Sequence, residues 1–205
     1  MIVTGTEAVT KTKYKVYIDG QFAFVLYKGE LSRYQVQEGR EITKETCDRI
    51  RGEVLVKRAK LRAMHLLNAM GRTESQLREK LTQGGYPEDV VDEALSYVKS
   101  FGYVDDVNYA RSFTDSRKDK KSRREIEMLL KGKGISGEDI EKAMEECYGE
   151  DTAMQAVRKL MKKRRYIPGE SSYEEKQRIM ANVMRKGFSY DDVCRALEED
   201  SEDGA

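Results

Sequence analysis

The chain has 205 residues, of which 39% are hydrophobic and 37% charged, and its net charge is +1 at neutral pH. So little apolar material suits thin helical layers better than one thick core, and a net charge near zero argues nothing about nucleic acid. No run reaches the roughly 18 apolar residues of a membrane span, and the N-terminus lacks the apolar stretch of a secretory signal.

The first 42 residues form the first expected unit. Tyr14, Val16 and Ile18 alternate with more polar positions, and Phe22, Phe24 and Leu26 do the same after Asp19-Gly20. An Asp-Gly pair between two alternating runs predicts a β hairpin. A lone hairpin is marginal in water, so it is expected to dock on the first helices or to recruit another strand. Leu31 to Val36 reads as a short helix, and Thr43 as the N-cap of a long one.

From there a motif returns three times. Gly85-Tyr86-Pro87 is followed by Val91, Ala94 and Leu95. Gly134-Ile135-Ser136 is followed by Ile140, Ala143 and Met144, and Gly187-Phe188-Ser189 by Val193, Ala196 and Leu197. The glycines lie 49 and 53 residues apart, a period that marks one copied supersecondary unit. Leu77 and Leu81, Ile126 and Leu130, and Ile179 and Val183 precede the glycines by eight and four residues, one face of a helix. Each glycine is expected to close its helix in the left-handed conformation, with the bulky residue after it folding back on the last turn.

The helix starts are also legible. Thr73 with Gln76 and Ser122 with Glu125 fit a capping box, and in copy three the candidates are Ser171, Ser172, Glu174 and Glu175. Ser136 and Ser189 are N-cap candidates for the helix after the glycine, and Pro87 holds that place in copy one. A further helix opens each unit: Leu55, Ala59, Ala63, Leu66 and Met70; Val107, Ala110 and Phe113; Met154, Val157, Leu160 and Met161.

The fold expected is therefore mainly α: tandem three-helix repeats in three copies forming an elongated curved molecule, with a small N-terminal β hairpin. The divisions are 1–42 for the hairpin and short helix, 43–105, 106–150 and 151–200 for the repeats, and 201–205 for an acidic tail. Three short helices bury little surface alone, so neighbouring units are expected to share a core.

Two basic clusters are the candidate functional residues. Arg117, Lys118, Lys120, Lys121, Arg123 and Arg124 fall between the first two helices of copy two. Arg158, Lys159, Lys162, Lys163, Arg164 and Arg165 are expected at the equivalent place in copy three. Recurrence in stacked units predicts one basic stripe that attracts phosphates or an acidic protein surface.

No catalytic, cofactor or metal residues are assigned. Asp105-Asp106 reads as helix capping. His65 is the only histidine, so the usual His/Cys zinc set is missing, and no glycine-rich phosphate loop is present. Cys47, Cys147 and Cys194 are odd in number and widely spaced, which fits free thiols in a reducing cytoplasm.

Several segments carry a resemblance: Leu61-Arg62-Ala63-Met64-His65-Leu66-Leu67, Arg72-Thr73-Glu74-Ser75-Gln76-Leu77, Phe101-Gly102-Tyr103-Val104-Asp105-Asp106 with Tyr109-Ala110 and Phe113, Lys133-Gly134-Ile135, and Arg185-Lys186-Gly187-Phe188. Over about residues 50–200 the chain resembles the RecX family of bacterial recombination regulators. The resemblance implies a cytoplasmic, non-enzymatic modulator, expected as a monomer. It would bind RecA or the RecA–DNA filament along its groove and lower strand-exchange, ATPase and coprotease activities. Weak direct binding to DNA is a further expected contact. The proline-containing stretch from Tyr166 to Tyr173 departs from the family pattern. The rival readings are a stand-alone DNA-binding protein using the basic stripe and a structural adaptor. Against the first, no helix concentrates the Arg, Asn and Gln that read base edges.

Overall fold

Asp19 and Gly20 both take left-handed backbone, with φ of 48° and 82°. A two-residue hairpin whose turn matches the strand twist requires this at both positions. They join β2 (Lys13–Ile18) to β3 (Gln21–Tyr27), and the hairpin recruits a third strand, β1 (Val3–Ala8). The sheet is antiparallel in the order β1-β2-β3, so the expected hairpin is two-thirds of a sheet. Pairing slips between Val16 and Tyr17, where Phe24 faces Val16 but Phe22 faces Tyr17. The bulge turns Phe22 away from the core. It is 45% exposed, and its ring meets the Tyr17 ring edge-on at 6.1 Å. Sequence alternation alone had placed Phe22 with Phe24 and Leu26.

This computed structural model describes residues 1–166 and 171–202. The chain divides into two compact units, Met1–Val104 and the chain from Asp105 onward.

In the first unit the short helix α1 spans Lys28–Arg33, earlier than the expected Leu31–Val36. Gln35 is left-handed (φ 54°), and the Val36 N–H returns to the Leu31 carbonyl, which ends the helix. Thr43 caps α2 (Lys44–Ile50), accepting the Thr46 N–H at 3.1 Å. A π-helical turn over Arg51–Leu55 carries α2 into α3 (Val56–Ala69), so the long helix exists with one wider turn inside it. α4 (Glu74–Gln83) and α5 (Glu88–Ser100) complete the first three-helix repeat. Val3, Val16, Phe24 and Leu26 from the sheet share one core with Leu55, Ala59, Leu77, Leu81, Val91 and Leu95. Met70 lies outside it, 58% exposed, because α3 stops at Ala69 and the chain turns extended.

The second unit holds α6 (Asp106–Asp115), α7 (Arg123–Lys131) and α8 (Gly137–Cys147), then α9 (Glu150–Lys163), α10 (Tyr173–Arg185) and α11 (Tyr190–Glu202). Asp105 caps α6 through the Asn108 N–H at 2.9 Å. Each triplet has its own core, centred on Ile126, Leu130, Ile140 and Met144 in one and on Val157, Met161, Val183 and Val193 in the other. The core expected to be shared by these neighbouring repeats is thus two, with Ala153 of α9 packed into the first of them. α11 reaches Glu202, so the expected acidic tail starts inside a helix; residues 203–205 lie outside the described residues, as do 167–170 of the departing stretch.

The repeated glycine acts as the spacing predicts. Gly85, Gly134 and Gly187 have φ of 80°, 79° and 88°. The Gly85 N–H reaches the Thr82 carbonyl at 2.9 Å, and the Tyr86 N–H reaches Leu81 at 3.4 Å; Gly134 and Ile135 repeat the pair with Lys131 and Leu130. These bonds satisfy the last carbonyls of the helix. The caps also form. Thr73–Gln76 and Ser172–Glu175 are full capping boxes, whereas Ser122 accepts the Glu125 N–H but the Glu125 carboxylate pairs with Lys121.

Candidate partner and nucleic-acid interface

The predicted basic residues of the second repeat sit in two kinds of surroundings. Arg117 to Lys121 lie in the turns that follow α6, and Arg123 and Arg124 open α7. Most are engaged within the repeat. The Arg117 guanidinium lies 3.7 Å from the centre of the Phe113 ring and donates to Ser116 Oγ at 2.6 Å. Lys118 Nζ meets Asp115 Oδ1 at 2.7 Å, and this hydrogen bond holds the ammonium above its ordinary range. Lys121 pairs with Glu125, and Arg123 bridges Glu127 at 2.9 Å and Glu141 at 2.7 Å. Lys120 and Arg124 are exposed, with no ion pair among the described residues.

The third repeat is arranged differently. Arg158, Lys159, Lys162 and Lys163 lie inside α9, and Arg164 and Arg165 just beyond it. The two clusters are therefore not at equivalent places: one follows the first helix of its repeat, the other is the end of that helix. Cations in a last helical turn face the negative end of the helix dipole, a structural reason for Lys162 and Lys163 to be there. Lys159 Nζ meets Asp119 Oδ2 at 3.0 Å, linking α9 to the turns after α6. Arg164 reaches Asn182 Oδ1 at 3.4 Å. Among the described residues, Lys162, Lys163, Arg164 and Arg165 have no ion pair.

Arg164 and Arg165 face α10 across an open groove of about 890 Å³, which Arg178 and Arg185 also line. A second cleft, of about 490 Å³, runs between Arg124 on α7 and Arg185, Lys186 and Gly187 at the end of α10. Arg185 belongs to both. Residues of the two predicted clusters are thus brought near one path, through cations that sequence reasoning did not select. The available signal was the seven-residue spacing of Arg178 and Arg185, two turns on one helix face.

Elsewhere the chemistry is sparse. His65 is exposed beside a cleft of about 480 Å³ in the first unit. Cys47, Cys147 and Cys194 are free thiols, and burial pushes Cys47 and Cys147 up from the ordinary thiol range. Among the described residues, no three His, Cys, Asp or Glu side chains are placed to hold a metal, and no helix is long and apolar enough to cross a membrane.

Comparison with known proteins fits these triplets one by one. Residues 59–97, 105–144 and 150–197 match the family models for the first, second and third three-helix domains of RecX. A "Regulatory protein RecX" from Caldanaerobacter subterraneus subsp. tengcongensis is 32% identical over 187 residues, covering 91% of this chain and 92% of that protein. The chain belongs to the RecX family. A second relative of the same description, from Clostridioides difficile, is 26% identical over 190 residues, covering 91% of this chain and 89% of its own. The crystal structure of a regulatory protein RecX matches 97% of this chain and 98% of that one with a TM-score of 0.64 at 25% identity. RecX from Lactobacillus salivarius shares the fold over 71% of this chain, with a TM-score of 0.61. Membership in RecX makes this a regulatory protein rather than an enzyme.

Proposed function

We propose that this chain regulates the RecA recombinase in the cytoplasm by binding RecA assembled on DNA. On this reading it lies along the filament groove and lowers strand exchange, ATP hydrolysis and coprotease activity. The observation that carries the reading is the run of three consecutive family domains, in family order, over residues 59–197. Tandem units offer a surface spread over many residues, as a partner with a repeating surface requires. Arg117, Lys118, Lys120, Lys121, Arg123 and Arg124, with Lys162, Lys163, Arg164 and Arg165, are its basic contacts to DNA or to an acidic protein surface. The protein acts as a monomer and needs no cofactor.

The test is to compare binding of the purified chain to bare single-stranded DNA, to RecA alone and to RecA-coated DNA. The reading predicts the tightest binding to RecA-coated DNA. Equal affinity for bare and coated DNA would instead support the stand-alone DNA-binding reading.

A further inference from the structure

The cleft of about 480 Å³ in the first unit is walled by three elements. Lys13 and Tyr27 come from the sheet, Arg58, Leu61, Arg62 and His65 from α3, and Gly84 to Tyr86 from the turn between α4 and α5. The turn reaches the sheet because its glycines leave the space free. A Cβ on Gly85 would stand 2.6 Å from Val25 Cγ2, and one on Gly84 would meet the Tyr86 ring at 3.2 Å. Arg58, Arg62 and His65 are spaced to share one face of α3.

The cleft is positive, and no carboxylate lines it. Arg58 is already engaged: it pairs with Glu30, donates to the Val25 carbonyl at 3.2 Å and lies over the Tyr27 ring at 4.6 Å. Lys13 Nζ stands 5.3 Å from the centre of the same ring. Among the described residues, Lys13, Arg62 and His65 have no ion pair. Burial raises the Tyr86 phenol from its ordinary range while Arg58 and Arg62 pull it back, so both guanidiniums act on this hydroxyl. A cleft lined by one sign of charge focuses the field and concentrates counter-ions.

Size and spacing select the anion. The volume falls in the range of small-molecule sites, roughly 300–1,000 Å³. Arg58 to His65 covers about 10.5 Å of helix axis, more than a single phosphate or carboxylate spans. Sheet, helix and turn close three sides, which suits a discrete molecule better than a polymer that must run on past its contacts. Leu61, 72% exposed, and the Tyr86 ring add apolar and aromatic surface that a bare inorganic anion would leave uncovered.

We propose that this cleft binds a nucleoside diphosphate or triphosphate. Lys13, Arg62 and His65 hold the phosphates, and Leu61 and the Tyr86 ring cover the sugar and base. Arg58 holds the sheet against α3 and so positions the two walls. The site lies in the first unit and goes beyond the RecA reading without depending on it.

The test is isothermal titration calorimetry of ADP and ATP into the full chain, in EDTA and at low salt, with adenosine and inorganic pyrophosphate as comparison ligands. ADP and ATP bind, pyrophosphate binds more weakly than ADP, and adenosine does not bind. Lys13→Gln/Arg62→Gln weakens ADP binding at least about tenfold, the loss of two charge-assisted contacts. Lys13→Arg/Arg62→Lys retains most of the affinity because the charge is kept. Leu61→Glu changes an exposed position outside the core and also weakens binding, by adding a carboxylate to the cleft. Lys44→Gln/Lys57→Gln, elsewhere on the first unit, leaves binding unchanged. A wild type that binds neither ADP nor ATP overturns the site, as does wild-type affinity in the double Gln variant or in Leu61→Glu. Pyrophosphate binding as tightly as ADP overturns it too, leaving a simple anion contact. A wild type indifferent to ADP, whose double Gln variant loses affinity for oligo-dT, makes the cleft a polynucleotide contact and overturns it. Each of these results is read without RecA, so the RecA reading stands or falls separately.

Discussion

Ser122 Oγ donates to the Lys186 carbonyl at 2.8 Å, across 64 residues of sequence. The same oxygen accepts the Glu125 N–H at 3.2 Å and so caps α7. Ser122 is 2% exposed. One hydroxyl thus starts a helix in the second repeat and closes the end of α10 in the third. The close fit explains Gly187 twice over, since a Cβ there would stand 2.8 Å from Ser122 Oγ on a residue with φ of 88°.

Ser122→Ala should therefore cost more than an ordinary cap. Losing the cap costs about 1 kcal/mol, and losing the bond to Lys186 about another 1 kcal/mol. Ser136→Ala, which removes the cap of α8 and a local bond to Asp139 Oδ2 at 2.8 Å but no contact with another repeat, is the reference. Urea unfolding should place Ser122→Ala below Ser136→Ala; equal values would mean the inter-repeat bond contributes nothing.

The left-handed glycines should rank by their surroundings. Gly102 has φ of 69° and open space around it, so Gly102→Ala should cost about 1 kcal/mol of backbone strain. Gly85 and Gly187 add a collision, with Val25 Cγ2 at 2.6 Å and Ser122 Oγ at 2.8 Å. Alanine at either position should cost about 2 kcal/mol or more. Thermal melts that rank Gly102→Ala lowest would contradict this packing.

Arg58 ties the sheet to α3 and α1. It pairs with Glu30, donates to the Val25 carbonyl at 3.2 Å and lies over the Tyr27 ring at 4.6 Å. Lysine cannot reproduce the fork and the stacking together. Arg58→Lys should destabilise the first unit by about 1–2 kcal/mol and leave the melting of the second unit unchanged. A variant as stable as wild type would reduce the pair to an ordinary surface contact.

Alkaline stability should report Tyr148. Burial is the main cause that pushes its phenol from 10.0 up to about 12, and its hydroxyl donates to the Lys121 carbonyl at 3.1 Å. The folded state therefore keeps this proton to higher pH than the unfolded chain. Its contribution is whole below pH 10 and is lost as pH rises through about 12. Tyr148→Phe should be less stable at neutral pH and show a smaller loss between those two values. Some loss remains in the variant, because burial raises Tyr34 and Tyr86 as well.

The repeat was legible because its markers are local. A glycine that must turn left-handed, a capping residue and apolar positions four apart each act within one helix. What escaped depended on distant partners. β1 carries little alternation and is a strand because β2 and the segment ending at Ile42 flank it; the Val3 N–H bonds to the Arg40 carbonyl at 2.9 Å. Phe22 was misplaced because a bulge is invisible to strict alternation. The basic clusters were legible as charge, but not as paired or free. Lys121 and Arg123 have carboxylates four residues on, an ordinary helical pairing. Arg178 and Arg185 stand outside both basic runs in the sequence, and the turn at Arg165 is what brings Arg164 and Arg165 to face them.

The most direct measurement is RecA's DNA-dependent ATP hydrolysis, followed as the purified chain is titrated into preassembled RecA on single-stranded DNA. The account predicts that hydrolysis falls with added chain. It also predicts that neutralising Lys162, Lys163, Arg164 and Arg165 together shifts the fall to higher concentration and makes it less sensitive to salt, because fewer counterions are displaced. Hydrolysis that stays constant when the folded chain equals or exceeds RecA in concentration would contradict the account.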